Sequence, residues 1–364
     1  MNRRRISSRS AFAWWELVAV IVVICVLIAL LLPSVERARE AARRSWCMNQ
    51  LMQINVSLHN YANANKMLPP GVTCSVANIT AEAANPWADA KQTTKGASGT
   101  SWILCLLPYL VDESIYKGWD FEYGVSGGTN SSVASLDVKG LYCPTRRAGL
   151  RPSVDAPMML SPKWTGGGTD YGGCVGRHQG FLLDADQSIA LPDAEDRLRL
   201  CFLPGVDRPN PGLWVPGDIS GPNPTCEAKR GWGIFGRVNA STTFDEVKDG
   251  SSNTISIGEL QRITQITTTG PFYASYGPVN SHDGWAVGGS PTLFTTGYPY
   301  PTDVKTSPLM NNGDFMSPGS EHAGGGNFGL CDGSVRFLST TTDSRVFALL
   351  GSMDDGVALP ADEN

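Results

Sequence analysis

The chain reads as an α+β protein, with a long N-terminal helix, its first half transmembrane, followed by a loop-rich antiparallel β body. Three observations predict this. Residues 12–32 form an apolar run interrupted by one carboxylate, Glu16. Cys47, Leu51, Ile54, Leu58 and Tyr61 then recur at intervals of four and three, which lines them along one helical face. The chain also carries 40 Gly and 24 Pro, a content that demands many turns.

The apolar run comes first. At about 1.5 Å per residue it spans roughly 30 Å, the thickness of a bilayer's hydrocarbon. The 13 Leu, Ile and Val residues from Leu17 to Leu32 are the driving force. Each favours insertion by about 0.3–0.6 kcal/mol, which outweighs the roughly 3 kcal/mol cost of a carboxylate at mid-bilayer. Arg3, Arg4, Arg5 and Arg9 precede the run and a net acidic remainder follows it, so the N-terminus belongs in the cytoplasm and residues 34–364 outside. A cleaved secretory signal has an apolar core of about 7–15 residues and an A-x-A-like exit. This run is longer and no such exit follows. A plain anchor would leave Glu16 unexplained, because a carboxylate inside a membrane needs a partner.

Beyond the span, Pro33 kinks rather than ends the helix, and residues 35–44 are good helix formers. Asn63, Asn65 and the Pro69-Pro70-Gly71 break end it, giving one helix of about 50 residues and roughly 75 Å. Residues 72–100 read as an exposed loop, and 102–110 as an apolar segment returning to the core. Short strands are expected at 180–183 and 233–238, and a half-buried strand at 254–258 after the Asp249-Gly250 turn. The strongest hairpin signal pairs 327–331 with 334–338 through Asp332-Gly333. Residues 352–364 carry four acids and no base and read as a mobile tail. The expected organisation is a cytoplasmic leader (1–11), a transmembrane half-helix (12–33), an exported amphipathic half-helix (34–66), a β-rich ectodomain (67–350) and an acidic tail (351–364).

Composition narrows the chemistry. The net charge is −5 and becomes more acidic still without the four leader arginines, so nucleic acid is excluded as a partner. Nine cysteines contain no C-x-x-C pair and only four histidines accompany them, so no metal centre and no cofactor are expected. Cys25 lies in the span, and the other eight face an oxidising exterior, as disulfides or as buried thiols. There is no G-x-S-x-G, H-E-x-x-H or G-x-x-x-x-G-K signature, and the chain is not expected to be an enzyme. His322, with Asn327 and Asp332, is the best candidate for a structural or binding site. It could orient the hairpin, bind a partner, join a metal shell, or simply cap a Gly-rich turn. His59 reads as helix surface or lining. Asp184, Asp186, Asp193, Glu195 and Asp196 offer hard oxygen atoms that could suit calcium, or form a solvated acidic loop. The loop 249–254 reads as turn chemistry rather than a binding loop.

The segment Ala11-Phe12-Ala13-Trp14-Trp15-Glu16-Leu17, continuing apolar to Leu32 and Pro33, resembles a type IV prepilin N-terminus. That resemblance implies cleavage by a prepilin peptidase between Ala11 and Phe12, and N-methylation of Phe12. It also implies that Glu16, as mature residue five, contacts the freed amine of a neighbouring subunit. Ala11 stands where the family normally has Gly. Further stretches are similar to the prepilin-like domain-of-unknown-function family 1559. They are 38–44 with Cys47 and Asn49, Leu58-His59-Asn60-Tyr61, Leu68-Pro69-Pro70-Gly71, Leu107-Pro108-Tyr109-Leu110, Tyr142-Cys143-Pro144-Thr145-Arg146, Thr169-Asp170-Tyr171, and 249–254 with Glu259. His322 followed by nine residues and Asp332-Gly333 matches the family's H-x9-DG segment. The resemblance implies a pseudopilin-like structural subunit of a type II secretion or type IV pilus-like assembly, anchored in the cytoplasmic membrane. Its partners would be prepilin peptidase and other pilin-like subunits, and no catalytic mechanism comes with it. The alternative is a membrane-tethered extracytoplasmic protein that binds glycan or calcium.

Overall fold

A computed structural model describes residues 14–75, 86–91, 96, 98–110, 113–176, 178–179, 201–202, 232–236, 239–260, 262–264, 281–297, 310–312 and 317–359. Its first element is helix α1, Trp14–Asn65, a single helix of 52 residues that runs through Pro33. Pro33 has no N–H to donate, and beside it the Ser34 hydroxyl bonds the Leu31 carbonyl at 2.7 Å. The helix stops where Lys66 turns left-handed at φ 61° and donates its N–H to the Ala62 carbonyl at 2.8 Å, an αL cap.

Two kinds of surface share this rod. Between Trp14 and Val35 the large apolar side chains stand in the open. Cys47, Leu51, Ile54 and Leu58 are buried in the body's main core, which is the face that the four-and-three spacing predicts. Tyr61 is half-buried at the end of the seam, edge-on to Tyr109.

The helix lies on a five-stranded sheet of order β5-β1-β4-β6-β7, where β1 is Tyr171–Cys174, β4 Ile255–Glu259, β5 Leu293–Phe294, β6 Gly325–Leu330 and β7 Val335–Ser339. Strands β2 (His178–Gln179) and β3 (Cys201–Phe202) form a separate two-residue parallel ladder. In the main sheet β1–β4, β4–β6 and β6–β7 are antiparallel, but β1–β5 is parallel. The sheet is therefore mixed rather than purely antiparallel. Residues 102–110 return to the core as expected, starting with helix α3, Trp102–Leu106, whose N-cap is Ser101. The β6–β7 hairpin also forms as predicted, turning at Gly333 with φ 88°.

Other expectations change. The strand at 254–258 is buried on both faces. A bulge between Ile255 and Ile257 sends Ile257 into the core under α1 and Ile255 into a second core with Phe294, Phe328 and Phe347. The second core is closed by helix α7, Ser344–Leu350. Residues 233–236 make a turn rather than a strand, next to the Gly176–Trp232 bridge. Part of the expected 72–100 loop is helix α2, Pro86–Lys91, with Asp89 and Ala90 buried. The start of the expected tail is packed: Ser352, Met353 and Asp355 are buried, and the Asp249 carboxylate accepts the N–H groups of Asp355 and Gly356. That gives the 249–254 turn a use in holding the chain end. The strand expected at 180–183 and the acids Asp184, Asp186, Asp193, Glu195 and Asp196 lie outside the described residues.

Helix and sheet meet closely at Gly329, where a Cβ would come within 2.5 Å of the Asn55 amide nitrogen. Asn55 is fully buried, donates to the Leu330 carbonyl at 3.1 Å and accepts from the Ser256 hydroxyl at 2.8 Å.

Candidate functional site

Where α1 meets the body, four buried side chains from four parts of the chain converge. Cys47 comes from the first turn of the buried seam, Cys143 from the 142–146 loop, Glu259 from the end of β4 and His322 from the segment leading into β6. Their ligand-capable atoms all lie within 4.8 Å of one another. The two sulfurs are 3.2 Å apart, an unbonded separation beside the roughly 2.05 Å of a disulfide. Cys143 Sγ is 3.7 Å from His322 Nε2, and that nitrogen is 3.3 Å from Glu259 Oε1.

A surrounding layer fixes each group. His322 Nδ1 faces Glu40 Oε1 at 2.5 Å and Thr145 Oγ1 at 3.2 Å, which leaves Nε2 to point inward. Glu259 Oε2 accepts the Asn327 backbone N–H at 2.8 Å and its side-chain amide at 3.3 Å, while Oε1 accepts no hydrogen bond. The Cys143 N–H donates to Asp170 Oδ2 at 2.9 Å. Asp170 belongs to a buried ionic network in which Arg147 pairs with Asp155 at 3.1 Å and with Asp170 and Asp283 at 2.7 Å each. Removing one partner of such a buried pair costs about 3–5 kcal/mol, so the backing of Cys143 is costly to disturb.

The electrostatics follow from these contacts. Burial pulls the His322 imidazole down, but its bonds to Cys143, Glu259 and Glu40 outweigh burial and carry it up to about 10. Cys143 goes the other way: the Cys47 thiol donating to it, helped by His322, brings it down to about 6 against burial. Burial pushes the Glu40 carboxyl up, yet the His322 and Arg43 contacts leave it below its ordinary value. The Cys47 thiol, which donates to Cys143, is pushed up by that bond and by burial, so Cys143 is the more acidic of the two. A cleft of about 500 Å³ opens nearby, lined by Trp46, Tyr142, Pro144 and Arg147 among others, the first three of them adjacent in sequence to the cysteines.

Of the residues singled out in the sequence, His322 and Asn327 are brought together through Glu259. Asp332 is not: it is exposed in the hairpin turn, and its Oδ1 accepts from the Ser334 N–H and hydroxyl at 2.9 and 2.6 Å. Glu16 sits in the first turn of α1, whereas Ala11 and Phe12 lie outside the described residues. His59 stacks on Phe244 with ring centres 4.4 Å apart, and His282 stacks on Trp87 at 3.8 Å. The cysteine and histidine spacing argued against metal-type clustering, but the fold gathers Cys47, Cys143, Glu259 and His322 across sequence separations of 96 and 179 residues for the two contacts of Cys143. No local pattern covers such distances. The sequence signal was the presence of each residue in, or next to, a separate family-like motif.

The architecture defines a class: a chain whose one long N-terminal helix is apolar and long enough to cross a membrane, set on an α+β body, compatible with a membrane-anchored pilin-like protein. The chain belongs to the family described as protein of unknown function (DUF1559), which it matches over residues 36–193 and 206–345. No curated protein and no solved structure shows a significant match to it.

Proposed function

We propose that this protein is a pseudopilin-like structural subunit of a type II secretion or type IV pilus-like assembly. It is held in the cytoplasmic membrane by residues 12–33, with its body outside, and it is not an enzyme. Prepilin peptidase frees Phe12 for N-methylation, and Glu16 then pairs with the amine of a neighbouring pilin-like subunit. A charge-assisted contact of this kind offsets the cost of placing a carboxylate in hydrocarbon and sets subunit register. The observation that carries the reading is the unbroken helix Trp14–Asn65, apolar and uncovered at one end and built into the body's core at the other. This is the shape required of a subunit that bundles by one end of a rod and displays a domain on the other.

Mass spectrometry of the mature N-terminus tests it. An N-methylated Phe12 is expected, and an intact Met1 would sink it. Glu16→Ala should abolish co-assembly with pilin-like subunits while the body stays folded. A second reading, a membrane-tethered protein that binds a ligand such as a glycan, draws on the cleft of about 500 Å³. Saturable glycan binding by the full chain, together with unaltered behaviour of Glu16→Ala, would favour that reading instead.

A further inference from the structure

We propose that Cys47, Cys143, Glu259 and His322 are the four ligands of a structural metal site for a zinc-class divalent cation, and that the ion fastens α1 to the body. This does not depend on the pilin-like reading, since the junction exists whatever the anchored chain assembles with.

The distances come first. With Zn–S near 2.3 Å and Zn–N or Zn–O near 2.0–2.1 Å, a tetrahedral site has edges of about 3.8 Å between sulfurs, 3.6 Å between sulfur and nitrogen, and 3.3 Å between nitrogen and oxygen. The Cys143–His322 edge is 3.7 Å and the His322–Glu259 edge 3.3 Å. The sulfur–sulfur edge, at 3.2 Å, has to open by about half an ångström to meet the same geometry.

The hydrogen bonding points the same way. Each non-sulfur ligand has one atom held from behind and the other turned into the cluster. His322 Nδ1 is fixed by the Glu40 carboxylate, leaving Nε2 inward, which is the carboxylate–histidine backing typical of metal-bound imidazoles. Glu259 Oε2 is taken up by Asn327, while Oε1, on a residue only 2% exposed, accepts no hydrogen bond and faces His322 Nε2 at 3.3 Å. A cation between the two atoms would engage both, which offsets the desolvation of a buried carboxylate oxygen that accepts no hydrogen bond.

A Cys47–Cys143 disulfide would use the two sulfurs but give Glu259 Oε1 and His322 Nε2 no new partner. A cation uses all four. Two thiolates and an imidazole select a borderline-soft ion over calcium or magnesium, which prefer oxygen. Four protein ligands close the shell, the form of a structural rather than a catalytic site.

The test uses the full chain in detergent, purified with a thiol reductant. Elemental analysis should find stoichiometric zinc. After the metal is stripped, titration with Co²⁺ should give the near-ultraviolet thiolate-to-cobalt band and intensified visible bands of a tetrahedral site, which needs no variant. Glu40→Gln, which removes the carboxylate behind His322 along with its ion pair to Arg43, should weaken Co²⁺ binding by about 10–100-fold with unchanged circular dichroism, and Glu259→Gln should weaken it further. A folded chain that shows no zinc and no cobalt–thiolate band would overturn the proposal. So would an intact mass two hydrogens low that maps to a Cys47–Cys143 bridge in chain purified without reductant, or Co²⁺ spectra indifferent to Glu259→Gln.

Discussion

The two ends of α1 use the same apolar side chains against different surroundings. Between Trp14 and Val35 the large apolar residues are 45–78% exposed, whereas Cys47, Leu51 and Leu58 are 0% and Ile54 3% exposed. The first end is apolar on every face, as a rod ringed by lipid must be. The second buries one face against the body, and Met52, Gln53, Val56 and Asn60 look outward. A hydrophobic helix is therefore not evidence of a core. What separates the two ends is whether the apolar positions circle the helix or gather mainly in one stripe.

Substitutions can test that division. The largest effect is expected at the stripe: Leu58→Ala should lower the unfolding free energy of the detergent-solubilised chain by about 2–5 kcal/mol, read by urea denaturation of the body. Next comes Asn55→Ala, which removes two buried hydrogen bonds, although the Ser256 hydroxyl keeps the Gly329 carbonyl and the Leu330 carbonyl keeps the Gly333 N–H, and should cost about 1–3 kcal/mol. Arg44 lies just before the stripe with its guanidinium 3.3 Å over the Phe337 ring. Arg44→Ala should cost about 0.5–1 kcal/mol, the worth of an exposed cation–π contact. Smallest of all is Val23→Ala, at the uncovered end, which should leave body stability within about 0.5 kcal/mol of wild type. A large loss there would mean that the apolar end packs on the body and that the division is false.

These elements also show how far the sequence could be read. Patterns confined to one helix or one hairpin were plain: the rod with its seam, and the 325–339 hairpin with its Asp-Gly turn. Properties set by distant chain segments were hidden. Strand β4 alternates like a half-buried strand, but whether its second face is covered depends on α7, some 90 residues further on, and on a bulge with no clear local marker. The parallel partner β5 is only two residues long, too short for any periodicity. The candidate site was half legible. His322 was singled out and lies in the cluster, but its sequence neighbour in the H-x9-DG pattern, Asp332, serves the turn, and its partners Cys47, Cys143 and Glu259 arrive from elsewhere. Composition treated the cysteines as a scattered set, because adjacency made by folding leaves no mark on spacing.

Asn55 works as an indexing key between rod and sheet. Sliding α1 by one residue would shift it about 1.5 Å and turn it by about 100°, which would withdraw Asn55 from both of its partners and set Val56 against the backbone at Gly329. Because the helix is continuous, that index is transmitted along the rod. Glu16, 39 residues earlier and about 58 Å away along a straight helix, is held at one depth and one azimuth relative to the body. Changing the position of Glu16 relative to the body would therefore require unseating an amide at the other end of the rod.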